Sequence, residues 1–154
     1  MSISFSDEQD RQIDSAGLVA IAARVLRHED YPERAELTIT AVSDEVIASL
    51  NAEHLGIDEP TDVLSFPIDQ LVAALAPVVA SDGPPLLLGD VVIAPTFIAR
   101  QAAEHSVSES DELALMVVHG ILHLMGWDHV VDREAEAMEE REREILAMVG
   151  VERR

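Results

Sequence analysis

The stretch His119-Gly-Ile-Leu-His-Leu-Met-Gly-Trp-Asp-His129 constrains this chain most, because it places three of the six histidines within eleven residues. His119 and His123 are four apart, so on a helix they project from one face a turn apart. At that spacing two imidazoles can share one metal ion. His129 lies six residues beyond His123, and on an unbroken helix it would point roughly 120° away. Gly126 supplies the break, since glycine takes the left-handed backbone that ends a helix at little steric cost. Trp127, Asp128 and His129 can then turn back beside the first two histidines. A lone histidine on an apolar helix is usually a core residue. Three at this spacing, around a helix-ending glycine, are expected to ligate a metal.

The residues before the histidines say where such a site would hang. Leu113, Leu115, Met116, Val117, Val118, Ile121, Leu122 and Leu124 leave the helix apolar on nearly every side, the mark of a central, buried helix. Ser108 caps it, with Asp111 placed to complete a capping box. The long zinc-protease motif H-E-x-x-H-x-x-G-x-x-H has the same ligand frame, but its glutamate, the general base, is replaced here by Gly120. The missing base argues against peptide hydrolysis. A metallopeptidase-like hydrolase would have to draw its base from a distant Asp or Glu.

Periodicity orders the rest as β-α-β-α-β-β-α-α-α. Strands are expected near Ile3–Phe5, over Leu37–Val42, over Thr61–Pro67 and over the apolar run Leu86–Ala94. Helices are expected over Asp14–His28, from Ser43 to about His54, over Pro95–His105, from Ser108 to Met125 and over Asp132–Val149. A short helix is also expected over Leu71–Val79. The charged face of the last helix reads as solvated, with Ala135, Met138, Ile145 and Val149 turned inward. Two strands in succession break simple alternation. The expectation is therefore an α+β fold in one domain, 1–154, with a single small mixed sheet of about four strands and about five helices. Asp90, inside an apolar strand, is either an edge aspartate in water or an outer hydrogen-bond partner of a metal-bound histidine.

The 154 residues contain no cysteine, which removes disulfides, thiolate zinc sites and cysteine nucleophiles. No basic segment leads into an apolar run at the N-terminus, and no apolar stretch has membrane length, so a cytoplasmic protein with no membrane partner is expected. Thirty acids face ten bases, all arginine, for a net charge of −20. Nucleic-acid binders ordinarily carry a basic patch. An RNA substrate would need the metal and a local arginine cluster, or a delivering partner, to overcome a repulsion that salt screens over about 8–10 Å.

The histidine string resembles the H-G-x-L-H-L-x-G-x-D-H signature of the YbeY family, bacterial metal-dependent endoribonucleases linked to ribosomal RNA maturation. Thr61-Asp-Val-Leu-Ser-Phe-Pro67 and Leu87-Leu-Gly-Asp90 agree with the same family, in the same order. The resemblance implies Zn2+, or another divalent transition metal, on His119, His123 and His129. Three imidazoles leave a fourth zinc position for water, whose pKa falls toward ~7, so no protein nucleophile is needed. It implies hydrolysis of single-stranded or precursor ribosomal RNA and a part in ribosome quality control. The small ribosomal subunit and an assembly GTPase are the implied partners. A non-catalytic ribosome-assembly factor with a structural metal is the other reading. The family often carries an arginine just before TDVLSFP, thought to act on the phosphate; His54-Leu55-Gly56 stands there without one. That departure implies weak cleavage, with His54 or Arg100 as possible substitutes and Asp128 as a further residue beside the site.

Overall fold

Side-chain alternation decides which way the sheet faces. In the computed structural model, which describes residues 1–154, strand β2 (Ala35–Ala41) buries Ala35, Leu37, Ile39 and Ala41. The intervening Glu36, Thr38 and Thr40 pair in register with Ser2, Ser4 and Ser6 of β1 (Ser2–Asp7). A polar face and an apolar face result, as strict alternation requires. Strands β3 (Val63–Pro67) and β4 (Leu86–Ile93) complete a four-stranded sheet of order β1-β2-β4-β3. β1, β2 and β4 run parallel and β3 runs antiparallel to β4, so the sheet is mixed. β3 is an edge strand, free along one side.

Five helices pack on this sheet, giving an α+β fold. Helices α1 (Ser15–His28) and α4 (Glu109–Leu124) contact each other, and both share the main core of 27 buried residues with the apolar sheet face. Helix α2 (Asp44–Leu55) covers part of the other face, where Ile47 meets Val42, Leu64, Val92 and Ala94. Helices α3 (Pro95–Glu104) and α5 (Asp132–Met148) flank α4. α4 is buried nearly all round, from Glu112 to Leu124 with only His119 and His123 partly open. Its first turn is capped by Ser108 Oγ, which accepts the Asp111 N–H at 3.1 Å. The reciprocal bond from the Asp111 carboxylate does not form, so only half of the expected capping box exists.

One expected element is absent. Leu71–Val79 is not a helix but an irregular segment with a single bridge between Val72 and Leu75. Ala74 sits at φ +61°, outside the right-handed region, and Pro77 disfavours helix for the residue before it. Leu71 and Val79 pack on the core while Val72, Leu75 and Val78 face outward. The segment braces the loop after α4, against which its backbone lies.

Candidate metal centre

The helix end that carries the histidines is built by local hydrogen bonds. The Gly126 N–H donates to His123 O and the Trp127 N–H to Leu122 O, both at 3.0 Å. These are the two bonds of a Schellman motif, and Gly126 stands at φ +95° where the motif needs it. A Cβ at 126 would also lie 2.5 Å from Leu71 O and 3.0 Å from Ala73 N. Turn geometry and the bracing segment therefore both require glycine. The chain reverses, and the Asp128 carboxylate accepts the His129 N–H at 2.7 Å, fixing the backbone of the third histidine.

The three rings converge. Nitrogens of His119, His123 and His129 all lie within 4.8 Å of one another. Nε2 of His119 and Nε2 of His123 are 3.1 Å apart. The other nitrogen of each ring is already engaged: His119 Nδ1 with the Glu142 carboxylate at 3.1 Å, and His123 Nδ1 with the Trp127 carbonyl at 2.9 Å. Acceptors on both Nδ1 atoms set the tautomer, with N–H at Nδ1 and a lone pair at Nε2. Two lone pairs at 3.1 Å repel unless a cation lies between them. Ligands on a tetrahedral zinc at ~2.0–2.1 Å sit about 3.3 Å apart. The donor set, the tautomers and the spacing all fit such an ion.

Electrostatics favour the ligating form. Burial lowers the His123 pKa below its ordinary value, and the neighbouring His119 and His129 lower it further, so the imidazole is neutral. Glu142, from α5, is 1% exposed. Burial pushes its carboxyl upward, but the His119 hydrogen bond and the Arg153 guanidinium outweigh this and hold it below its usual range. Its other oxygen accepts the Arg153 Nε–H at 3.2 Å. On the far side, the Trp127 indole donates to Glu29 at 3.2 Å while Arg141 lies over its ring at 5.0 Å. The loop is therefore held from α1 and α5 as well as from α4.

The histidines form part of an open groove of ≈ 830 Å³ that runs past the free side of β3, from His54 and Leu55 to Arg153 and Arg154. β3 touches α4 at Gly120: a Cβ there would lie 2.7 Å from Val91 Cγ1 and 3.1 Å from Val63 Cγ2. Ser65 Oγ donates to the Gly120 carbonyl at 2.8 Å. Val63 and Ser65 belong to TDVLSFP, so two sequence blocks meet in one helix–strand contact. That contact is also why no general base stands at 120, since the position points into the sheet.

Other residues singled out in the sequence scatter. His54 lines the groove, its ring 4.7 Å from that of Phe66 and its Nδ1 3.0 Å from Leu50 O. Leu55 lines it too and is exposed. Arg100 is elsewhere, bonded to Asp44 and lining a separate acidic hollow. Asp90 pairs with Thr38 and Phe66, on the sheet face turned away from α4, because its neighbour Val91 is the residue that touches Gly120. The carboxylate on His119 is Glu142, which the charged face of α5 concealed. The signal was present: Glu142 falls in the 135-138-142-145-149 spacing of the buried stripe, the one charged residue within it.

Fold and site together define an α+β protein with a three-histidine group able to hold a metal ion in an open groove. The model of the family described as Endoribonuclease YbeY matches residues 3–150. Proteins named Endoribonuclease YbeY from Shouchella clausii and Mycolicibacterium gilvum are 43% and 38% identical to it, covering 99% and 95% of this chain and 98% and 82% of their own. This chain belongs to the YbeY family. A protein of Thermotoga maritima solved in solution shares the fold, with TM-score 0.59 at 22% identity over 96% of this chain and 91% of that one.

Proposed function

We propose that this protein is a zinc-dependent endoribonuclease that cleaves single-stranded RNA, ribosomal RNA precursors above all, with His119, His123 and His129 as the metal ligands. The observation that carries the reading is the pair of Nε2 atoms facing each other at 3.1 Å while both Nδ1 atoms are held by acceptors. Membership of a family whose relatives are named endoribonucleases supplies the substrate class. A zinc-class ion, when bound, acidifies a coordinated water and stabilises charge developing on a phosphoryl group.

The chain's own residues do the rest. Glu142 and the Trp127 carbonyl hold the two helical imidazoles in ligating tautomers, and Asp128 orients the loop that brings His129. The open groove admits a flexible strand, and the His54–Phe66 pair offers ring faces for a base to stack on. Gly120 has no room for a protease-type base, which weighs against a peptidase. Action on ribosomal precursors in the cytoplasm, a part in ribosome quality control, and contact with the small subunit and an assembly GTPase belong to the same reading. So does a single domain spanning 1–154.

The test is cleavage of end-labelled single-stranded RNA and, separately, of casein by protein of measured zinc content. The expected result is RNA fragments that vanish with a chelator and return with zinc, and intact casein. Casein cleavage would favour the peptidase; intact RNA at full zinc occupancy would favour an assembly factor with a structural metal.

A further inference from the structure

The chain has ten cationic side chains, all arginine, and just two of them line the groove that holds the histidines: Arg153 and Arg154. Most of the others are committed elsewhere. Arg11 pairs with Glu109, Arg100 with Asp44, Arg141 with Glu29, and Arg143 with Glu139. Arg34 donates to the Ser81 carbonyl. We propose that Arg153 and Arg154 form a phosphate clamp, gripping the RNA backbone beside the metal site through the guanidinium N–H groups that the protein leaves free. The proposal rests on RNA being the substrate.

Two buried carboxylates aim this pair. Arg154 Nε donates to both oxygens of Glu112, at 2.7 and 3.0 Å, and Glu112 is 1% exposed. Its two terminal amino groups carry further N–H donors that no protein acceptor takes. Arg153 Nε donates to Glu142 at 3.2 Å, and the same carboxylate holds His119 Nδ1 through its other oxygen. One carboxylate thus fixes both a candidate metal ligand and a guanidinium, which sets the cation beside the metal position. Arg153 Nη1 donates to the Arg154 carbonyl at 2.9 Å and its Nη2 lies 3.7 Å from Glu139, which ties the two residues together and leaves most of the free donors on Arg154. Both side chains remain partly open, 20% and 28% exposed.

The chemistry suits phosphodiester. A guanidinium offers paired donors to phosphate oxygens, and one already held by its Nε loses little freedom on binding. The −20 background makes a placed cation more valuable, because no other side chain lining the groove carries a fixed positive charge. Neutralising Glu112 and Glu142 is a structural duty of the same residues. It accounts for the Nε bonds of both residues and for the Glu139 pair of Arg153, but not for the free terminal donors of Arg154 beside the groove.

Binding of a fluorescent, non-cleavable 2′-O-methyl single-stranded oligoribonucleotide to the zinc-loaded full chain, read against salt, separates the two duties. Each phosphate contact contributes about 0.7 to the slope of log affinity on log salt for single strands. Arg154→Gln should lower that slope by about 0.7, and the Arg153→Gln/Arg154→Gln protein by about 1.4. Low-salt affinity should fall about tenfold per arginine, on the order of one charge-assisted contact each. Arg143→Gln, outside the groove, should change neither. Arg154→Lys keeps a cation beside Glu112 and serves if the glutamine variant is unstable. It should keep the slope and lose affinity several-fold with unchanged zinc content and melting temperature. Wild-type slope and affinity in the arginine variants would overturn the clamp, and so would a wild-type protein that does not bind the oligonucleotide. If binding depends on the arginines but cleavable RNA stays intact, the clamp stands and the nuclease reading falls. Normal cleavage with an unchanged slope would keep the nuclease reading and overturn the clamp.

Discussion

The Glu142 carboxylate lies 3.1 Å from Nδ1 of His119, although 23 residues and a loop separate them. The contact joins α5 to α4 at the site and leaves the Nε2 lone pair of His119 facing His123. Carboxylate partners of this kind raise the basicity of a ligating imidazole, and their loss typically costs about 10–100-fold in metal affinity. Glu142→Gln should therefore weaken zinc binding by about that factor in chelator competition, with the fold kept. Unchanged affinity would show that the bond serves packing alone.

Gly120 is the point where α4 rests on the sheet. Alanine there would crowd Val91 and Val63; overpacking costs about 1–3 kcal/mol, and alanine's helix propensity returns up to about 1. Gly120→Ala should lose about 1 kcal/mol in urea unfolding. Gly120→Glu should not create casein cleavage, because its side chain cannot reach the groove without parting helix from strand. A gain in stability for the alanine protein would contradict the contact.

Tyr31 gives a pH test of the packing behind the site. It is the only tyrosine, its hydroxyl has no partner in the chain, and burial, then the Glu29 charge, pushes its pKa up to about 12. The folded value lies above the ordinary 10.0, so this contribution to stability is complete below pH 10 and is lost as pH rises through 12. Tyrosinate absorbance of the folded protein should step near pH 12, and the melting temperature should fall from pH 10 upward. A step near 10 with intact circular dichroism would refute it.

Leu55 lines the groove and is 62% exposed, so it can be changed at little cost to the core. Leu55→Arg adds a guanidinium where an anionic strand would pass. RNA cleavage at low salt should rise on the order of tenfold, about 1.4 kcal/mol of transition-state stabilisation. Zinc content should stay the same, and the gain should shrink with salt. No gain would mean that Arg153 and Arg154 already saturate the role.

Much of this was legible in the chain itself. Alternation in Leu37–Val42, the cap at Ser108 and the all-round apolar pattern of α4 are local signals, and the strands and helices follow them. The clustering of His119, His123 and His129 was readable because Gly126 marks its own turn. Glu142, Arg153 and Arg154 were not, since their meaning lies in tertiary contacts and a glutamate among glutamates reads as a solvated face. Leu71–Val79 failed for a related reason. Its apolar spacing suits a helix, but its backbone is shaped by the neighbouring turn at Gly126.

The central claim is that the three histidines hold one catalytic metal, and zinc analysis combined with RNA cleavage on the same samples tests it most directly. Wild-type protein should contain one zinc per chain and cut single-stranded RNA. His123→Ala should lose both zinc and cleavage, while His105→Ala, on the exposed end of α3, should keep both. Full zinc occupancy in the His123→Ala protein, or undiminished cleavage by it without zinc, would contradict the account.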